Sequence, residues 1–306
     1  MHIRIISPSG RIDSELIEQS SKRLTESGFV VSEGAYARGE YGRFAGSREE
    51  RISDLQSALS DPDVDAVLCS RGGYGLQQII DKAAVIVEQV ESQKVCLPLL
   101  IGFSDITCMH SLYALSSTPS LHGPMCKMLA MSDGSESVSR WYNALRGEDI
   151  RIQLPMHPLQ REGSVRGKMI GGNLSVLYGL LSTPWGLMNI IKKNKSIGYH
   201  NILFLEDICE RHYHIDRMMQ CLRLSGILSA IDGLVVGQMT DIDDDPLMRC
   251  SVQETISDAV AGYDYPVVFG FPAGHAEENF PFFLNREAQL SVTAQGVAFV
   301  QQGYDI

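Results

Sequence analysis

Leu99-Leu100-Ile101-Gly102-Phe103-Ser104-Asp105-Ile106-Thr107 is an apolar run that stops at a glycine, an aromatic and a serine. The residues after it, Asp105 to Leu115, are helix-compatible. A short buried strand feeding a helix through a glycine-containing turn sets Ser104 at the strand's carboxyl end and the helix's amino end, where backbone N–H groups point outward. That is a place for a nucleophile. A serine hydroxyl is weak alone, so it needs a histidine base, a carboxylate to orient the base and donors for a developing oxyanion.

Working outward, the first half of the chain alternates strand-like and helix-like segments. Ile3–Ser7 reads as a strand, Ser14–Ser27 as a helix and Phe29–Ser32 as a strand, followed by a Gly- and Arg-rich loop through Gly46. A helix at Glu49–Leu59, a strand at Ala66–Cys69, a glycine-rich turn and a helix near Leu76–Ile80 lead into the strand ending at Phe103. This spacing predicts a three-layer α/β domain over residues 1–150, with a mostly parallel sheet. Ligands of such sheets sit beyond the carboxyl ends of the strands, where Ser70-Arg71-Gly72-Gly73-Tyr74-Gly75 and Gly102-Phe103-Ser104-Asp105 both fall. Residues 151–166 carry Pro155, Pro158, Gly163 and many charges, and read as a linker. Residues 167–306 read as a mixed α+β domain. Its strands are expected at Asn201–Leu205, Gly233–Gln238 and Pro266–Phe269, with two more around Gln289–Val300; its helices are expected at Ile215–Ser225 and Val252–Ala261.

A chain of 306 residues is long enough for two cores. The net charge of -11 and the lack of a strongly basic run argue against a nucleic-acid partner. Met1–Pro8 lacks the apolar segment of a secretory signal, and no stretch approaches the ~20 apolar residues of a membrane span, so no membrane association and a cytoplasmic location are expected. The seven scattered cysteines have no C-x-x-C pairing and fit reduced thiols.

The second domain offers the missing machinery. Leu203-Phe204-Leu205-Glu206-Asp207 is an apolar strand ending in two carboxylates, and Gly270-Phe271-Pro272-Ala273-Gly274-His275 is a strand followed by a loop that presents a histidine. His275 could take the Ser104 proton while Glu206 holds the imidazole tautomer. The glycine loop could supply the Gly73 N–H as an oxyanion donor alongside the Asp105 N–H; it is equally read as a tight turn or a phosphate cradle, although it matches neither G-x-G-x-x-G nor the P-loop.

Five ordered motifs together carry a resemblance: Arg71–Gly75; Gly102–Thr107; Gly171-Gly172-Asn173-Leu174-Ser175; Phe204–Asp207 with Glu210 and Ile215–Met218; and Pro272–His275. In order and spacing, the series resembles the LD-carboxypeptidase family of serine peptidases over nearly the whole chain. The resemblance implies Ser104 as nucleophile, His275 as base and Glu206 as orienting acid, in a cytoplasmic homodimer without metal or other cofactor. It further implies release of terminal D-alanine from murein tetrapeptides, a small peptide substrate, in cell-wall recycling. Within that reading Arg71 and the Gly72-Gly73 backbone are candidates for the terminal carboxylate, Asn173 for a hydrogen bond to the peptide and Glu210 for an ammonium group. The alternatives are an amidase of the microcin C immunity type, acting on aminoacyl nucleotides, and a non-catalytic muropeptide-binding protein. Two departures stand out. Ile106 removes the G-x-S-x-G elbow of α/β-hydrolases, and Phe283 stands where family members often carry glycine.

Other reactive side chains read as structural. Cys69, ending a strand, is expected to be a buried thiol. His212 and His214 lack H-E-x-x-H spacing, and the run Asp241–Asp245 lacks the EF-hand glycine and distal glutamate.

Overall fold

The computed structural model describes residues 1–93, 96–116, 118–131, 134–243 and 245–305. The chain divides into two compact units, one of Met1–Glu148 with Phe280–Phe282 and Tyr304–Ile306, the other of Asp149–Asn279 with Phe283–Gly303. In chain order the elements up to residue 145 are β1 (His2–Ile6), α1 (Ser14–Glu26), β2 (Val30–Glu33), α2 (Arg48–Ser60), β3 (Ala66–Cys69), α3 (Ile80–Ser92), β4 (Leu99–Gly102), α4 (Thr107–Leu115), β5 (Ser120–His122), α5 (Cys126–Met131) and α6 (Glu136–Leu145). After them come β6 (Ile150–Leu154), β7 (Gly163–Asn173), α7 (Leu174–Leu180), α8 (Leu187–Ser196), β8 (Asn201–Ile208), α9 (His212–Leu224), α10 (Ile227–Ala230), β9 (Gly233–Thr240), α11 (Val252–Ala259), β10 (Val267–Val268), β11 (Phe282–Leu284), β12 (Glu287–Thr293) and β13 (Gly296–Gln301).

The first sheet runs β11-β5-β4-β3-β1-β2, and the pairs from β5 through β2 are parallel. Every residue of β3 and β4 is buried, as expected of strands covered on both faces, and this is why they read as unbroken apolar runs. Each Leu or Ile buried there contributes about 1.5–3 kcal/mol. Ile6 pairs with Cys69 and Leu68 with Ile101, so the loops after β1, β3 and β4 leave the sheet at one end.

The second sheet runs β10-β9-β8-β7-β12-β13-β6, parallel from β10 to β7 and antiparallel from β7 to β6. Its two halves differ in burial. β8 is buried over seven successive residues, whereas β12 and β13 alternate buried with more exposed positions and keep one face toward water.

The stretch 151–166, expected as a linker, instead carries β6 and the start of β7. In β6 Ile150 and Ile152 face inward while Arg151 and Gln153 face out, so the start of this stretch is an edge strand with one solvated face. Near Leu76 a single 3-10 turn, Leu76–Gln78, precedes a full helix that continues to Ser92. No described helix is long and apolar enough to cross a membrane.

Candidate active site

Ser104 follows β4 after one residue, Phe103, and opens a 3-10 turn, Ser104–Ile106, that leads into α4. Its φ is 66°, in the left-handed region, which costs a residue bearing a Cβ about 1–2 kcal/mol. The half-buried side chain lies just beyond the sheet's carboxyl end. Gly72, in the loop after β3, packs directly against it. A Cβ on Gly72 would lie 2.7 Å from Ser104 Cβ and 3.0 Å from its Oγ, so only glycine lets this backbone approach the hydroxyl. Behind the turn, the buried His110 of α4 donates from Nε2 to Gly102 O at 2.9 Å and meets Ser120 Oγ through Nδ1 at 2.8 Å. Burial lowers its pKa to about 4, so a neutral ring ties α4 to β4 and β5.

In the second unit, Glu206 sits near the end of β8 at a β-bulge: Leu205 pairs with Val236 but Asp207 with Met239. A bulge re-aims a side chain. Glu206 is fully buried, and its Oε2 accepts a 2.7 Å hydrogen bond from His275 Nδ1, whose side chain is 14% exposed. A carboxylate only accepts, so Nδ1 carries the hydrogen and the lone pair of the neutral ring lies on Nε2. Gln238, near the end of β9, fixes the loop that bears His275. Its Oε1 accepts from Ala276 N–H at 2.8 Å, its Nε2 donates to Glu278 O at 2.7 Å, and its own N–H donates to Ala273 O at 3.0 Å. Gly274 has φ 140° and packs against Gln238 and Glu206, which brings the loop backbone close to the acid.

A family model described as the LD-carboxypeptidase N-terminal domain matches residues 3–123, and one described as the LD-carboxypeptidase C-terminal domain matches residues 166–290. This chain belongs to the LD-carboxypeptidase family. A putative carboxypeptidase of Synechocystis is 30% identical over 97% of this chain and 94% of the relative. A murein tetrapeptide carboxypeptidase of Pseudomonas aeruginosa is 29% identical over 90% of this chain and 89% of its own length. The crystal structure of a muramoyltetrapeptide carboxypeptidase from Oxalobacter formigenes superposes with a TM-score of 0.82 at 25% identity, covering 100% of both chains.

The remaining candidate residues of this LD-carboxypeptidase family member sit in different surroundings. Gly73 is exposed with φ 102°, and Arg71 is exposed and donates to Arg11 O at 2.9 Å. Asn173 is buried as the N-cap of α7, accepting from Val176 N–H and donating to Asp207 at 2.9 Å. That arrangement orders the sheet end beside Glu206 rather than turning the amide outward. Glu210 accepts from His214 Nδ1 at 2.9 Å. His212 instead pairs with Thr255 at 2.7 Å, so the two histidines serve separate structural bonds. Cys69 is buried and its thiol is pushed far up by desolvation, which keeps it protonated. Asp244 of the acidic run lies outside the described residues. Phe283 is a fully buried core side chain in β11, with Arg286 over its ring.

Sequence reasoning named Asp207 without giving it a site role and did not single out Gln238 or His110. The signal for Asp207 was the doubled carboxylate ending β8. Burial, with the Glu206 charge beside it, lifts Asp207 to about 6 while N–H groups of Ile208 and Ser175 and the Asn173 amide hold it in place. Gln238 and His110 act by tertiary bonds that no local pattern records.

Proposed function

We propose that this chain is a serine carboxypeptidase that hydrolyses the L,D-peptide bond releasing terminal D-alanine from murein tetrapeptides. Ser104 Oγ attacks the carbonyl carbon of that bond as His275 Nε2 takes the hydroxyl proton. Glu206 holds the tautomer and stabilises the imidazolium that forms. The Gly73 and Asp105 N–H groups stabilise the tetrahedral oxyanion. Collapse of that intermediate expels D-alanine, whose amine receives the proton from His275; water, deprotonated by the same imidazole, then hydrolyses the acyl-serine and frees the tripeptide. Arg71, exposed beside Gly72, suits the terminal carboxylate of the leaving D-alanine, and Glu210, partly exposed, suits an ammonium group on the peptide.

The observation that carries this reading is the 2.7 Å bond from His275 to a wholly buried Glu206, an acid–base arrangement that a purely structural histidine does not require. The names of the murein-specific relatives support the substrate class. The family resemblance extends the proposal to a cytoplasmic homodimer that needs no metal.

Incubation with a murein tetrapeptide and, in parallel, with an aminoacyl nucleotide tests the reading by mass spectrometry. Loss of one terminal D-alanine from the tetrapeptide alone is the expected result. Cleavage of only the aminoacyl nucleotide assigns the chain to the amidase alternative, and tight tetrapeptide binding without cleavage to the non-catalytic one.

A further inference from the structure

Two buried side chains of opposite charge grip the same pair of loops beside Ser104. Asp105 follows the nucleophile directly, and its Oδ2 accepts from Ser9 Oγ at 2.5 Å and from Leu76 N–H at 2.9 Å. Ser9 belongs to the loop after β1, and Leu76 closes the loop after β3. Arg51, only 1% exposed, reaches those loops from α2. Its Nη1 donates to Pro8 O at 2.9 Å and to Gly75 O at 3.1 Å, its Nη2 donates to Gln78 Oε1 at 3.2 Å, and its guanidinium lies 4.4 Å from the centre of the Phe44 ring. Pro8-Ser9 and Gly75-Leu76 are therefore each held once by the anion and once by the cation.

A third tie joins the loops where the chemistry is proposed to occur. Gly10 N–H donates to Gly72 O at 3.1 Å, and Gly72 is the residue packed against Ser104. Gly75, with φ 127°, has no room for a Cβ between Phe44 and the Arg51 guanidinium, so Arg51 also defines the end of the loop that carries Gly73. Burial pushes the Asp105 carboxyl up, while the bonds from Ser9 and Leu76 and the Arg51 charge pull it back down. Apolar side chains would fill such space at lower desolvation cost. What apolar side chains cannot do is bind a hydroxyl, an amide and two carbonyls in fixed directions.

We propose that Asp105 and Arg51 are positioning residues for the hydrolysis, a matched pair that holds the Gly72-Gly73 backbone and the Ser104 turn in the attacking geometry. The inference rests on the reading of Ser104 as nucleophile. Asp105 supplies the N–H assigned to the oxyanion and anchors that N–H through its own side chain. Arg51 touches neither substrate nor nucleophile and acts through the Pro8 and Gly75 carbonyls.

The test compares Asp105→Ala, Asp105→Asn, Ser9→Ala and Arg51→Lys in the full chain. It measures kcat and KM for D-alanine release, the thermal midpoint, and the rate at which a fluorophosphonate labels Ser104. Asp105→Ala is expected to lower kcat about 100-fold or more, as loss of a preorganised oxyanion donor does, with KM within about 3-fold of wild type. Asp105→Asn keeps an oxygen for both donors and is expected to regain about 10-fold of that loss, because only the charge is removed. Folded Ser9→Ala and Arg51→Lys are each expected to lose about 10-fold in kcat and to label more slowly, lysine lacking the second nitrogen that holds Gln78 Oε1 while the first holds both carbonyls. If Asp105→Ala does not fold, Ser9→Ala and Arg51→Lys decide the question. Wild-type kcat and labelling in both overturn the proposal, as does a fall in kcat that the unfolded fraction fully accounts for. Ser104→Ala separates the two levels: if it still turns over, the nucleophile reading fails; if it is dead while the clamp variants are normal, only the clamp fails.

Discussion

Replacing Glu206 by glutamine removes one charge and almost no volume from a fully buried position. In the wild type, the carboxylate oxygen lies 2.7 Å from His275 Nδ1 and, in the proposed mechanism, faces the positive charge that the imidazole acquires in the transition state. At an effective dielectric of about 20, unit charges at that separation interact by roughly 6 kcal/mol, an upper bound on what the variant forfeits. At about 1.36 kcal/mol per factor of ten, this corresponds to a fall in kcat of up to about 10⁴-fold. The same change lets an amide N–H₂ point at Nδ1 and select the wrong tautomer, a loss of similar size. Initial rates of D-alanine release at saturating tetrapeptide measure the effect, with thermal unfolding run alongside. A glutamine is cheaper to bury than a carboxylate, so the thermal midpoint is expected to hold or rise while kcat collapses and KM barely moves. A folded Glu206→Gln enzyme within about 10-fold of wild-type kcat would refute the orienting role, since tautomer control alone requires far more.

Three further perturbations follow from the geometry. Ser104→Gly relieves the left-handed strain at φ 66° and is expected to stabilise the protein by about 1 kcal/mol in urea unfolding while abolishing D-alanine release; destabilisation would count against a strained nucleophile turn. Gly72→Ala places a methyl 2.7 Å from Ser104 Cβ and is expected to cut kcat by about 100-fold or more, a misplacement effect that unchanged kinetics would contradict. Asp207, lifted by burial from its ordinary 3.8 to about 6, holds its proton more tightly folded than unfolded. Its contribution to stability is therefore fully present below pH 3.8, where it amounts to about 3 kcal/mol, and is lost as pH rises through about 6. Urea unfolding of wild type against Asp207→Asn is expected to show the difference shifting in favour of wild type by about 1 kcal/mol on going from pH 7 to pH 5, and a shift the other way would contradict it.

The parallel core was legible because β3 and β4 are buried on both faces and therefore apolar without interruption, and because Ser104 and Glu206 stand where such runs stop. The antiparallel half was harder to read. β6 alternates Ile with Arg and Gln, and on an edge strand that alternation has the composition of a linker. The Glu206–His275 bond links the end of a strand to a loop 69 residues on, so the sequence offered the two residue types but not their meeting. The supporting shell was out of reach for the same reason. Gln238 and Arg51 make their bonds to main-chain atoms of distant loops and His110 to the carbonyl that ends β4, and a main-chain carbonyl leaves no trace in residue identity.

Substituting Ser104 itself bears on the mechanism with the fewest intermediate steps. Ser104→Ala keeps the turn, the glycine loop and the Glu206–His275 pair, and removes only the oxygen proposed to attack. D-alanine release from a murein tetrapeptide is expected to fall by about 10⁵-fold or more, the scale on which nucleophile removal acts when base and acid depend on it. Turnover within about 10-fold of wild type, by folded Ser104→Ala, would contradict the covalent mechanism and require another nucleophile.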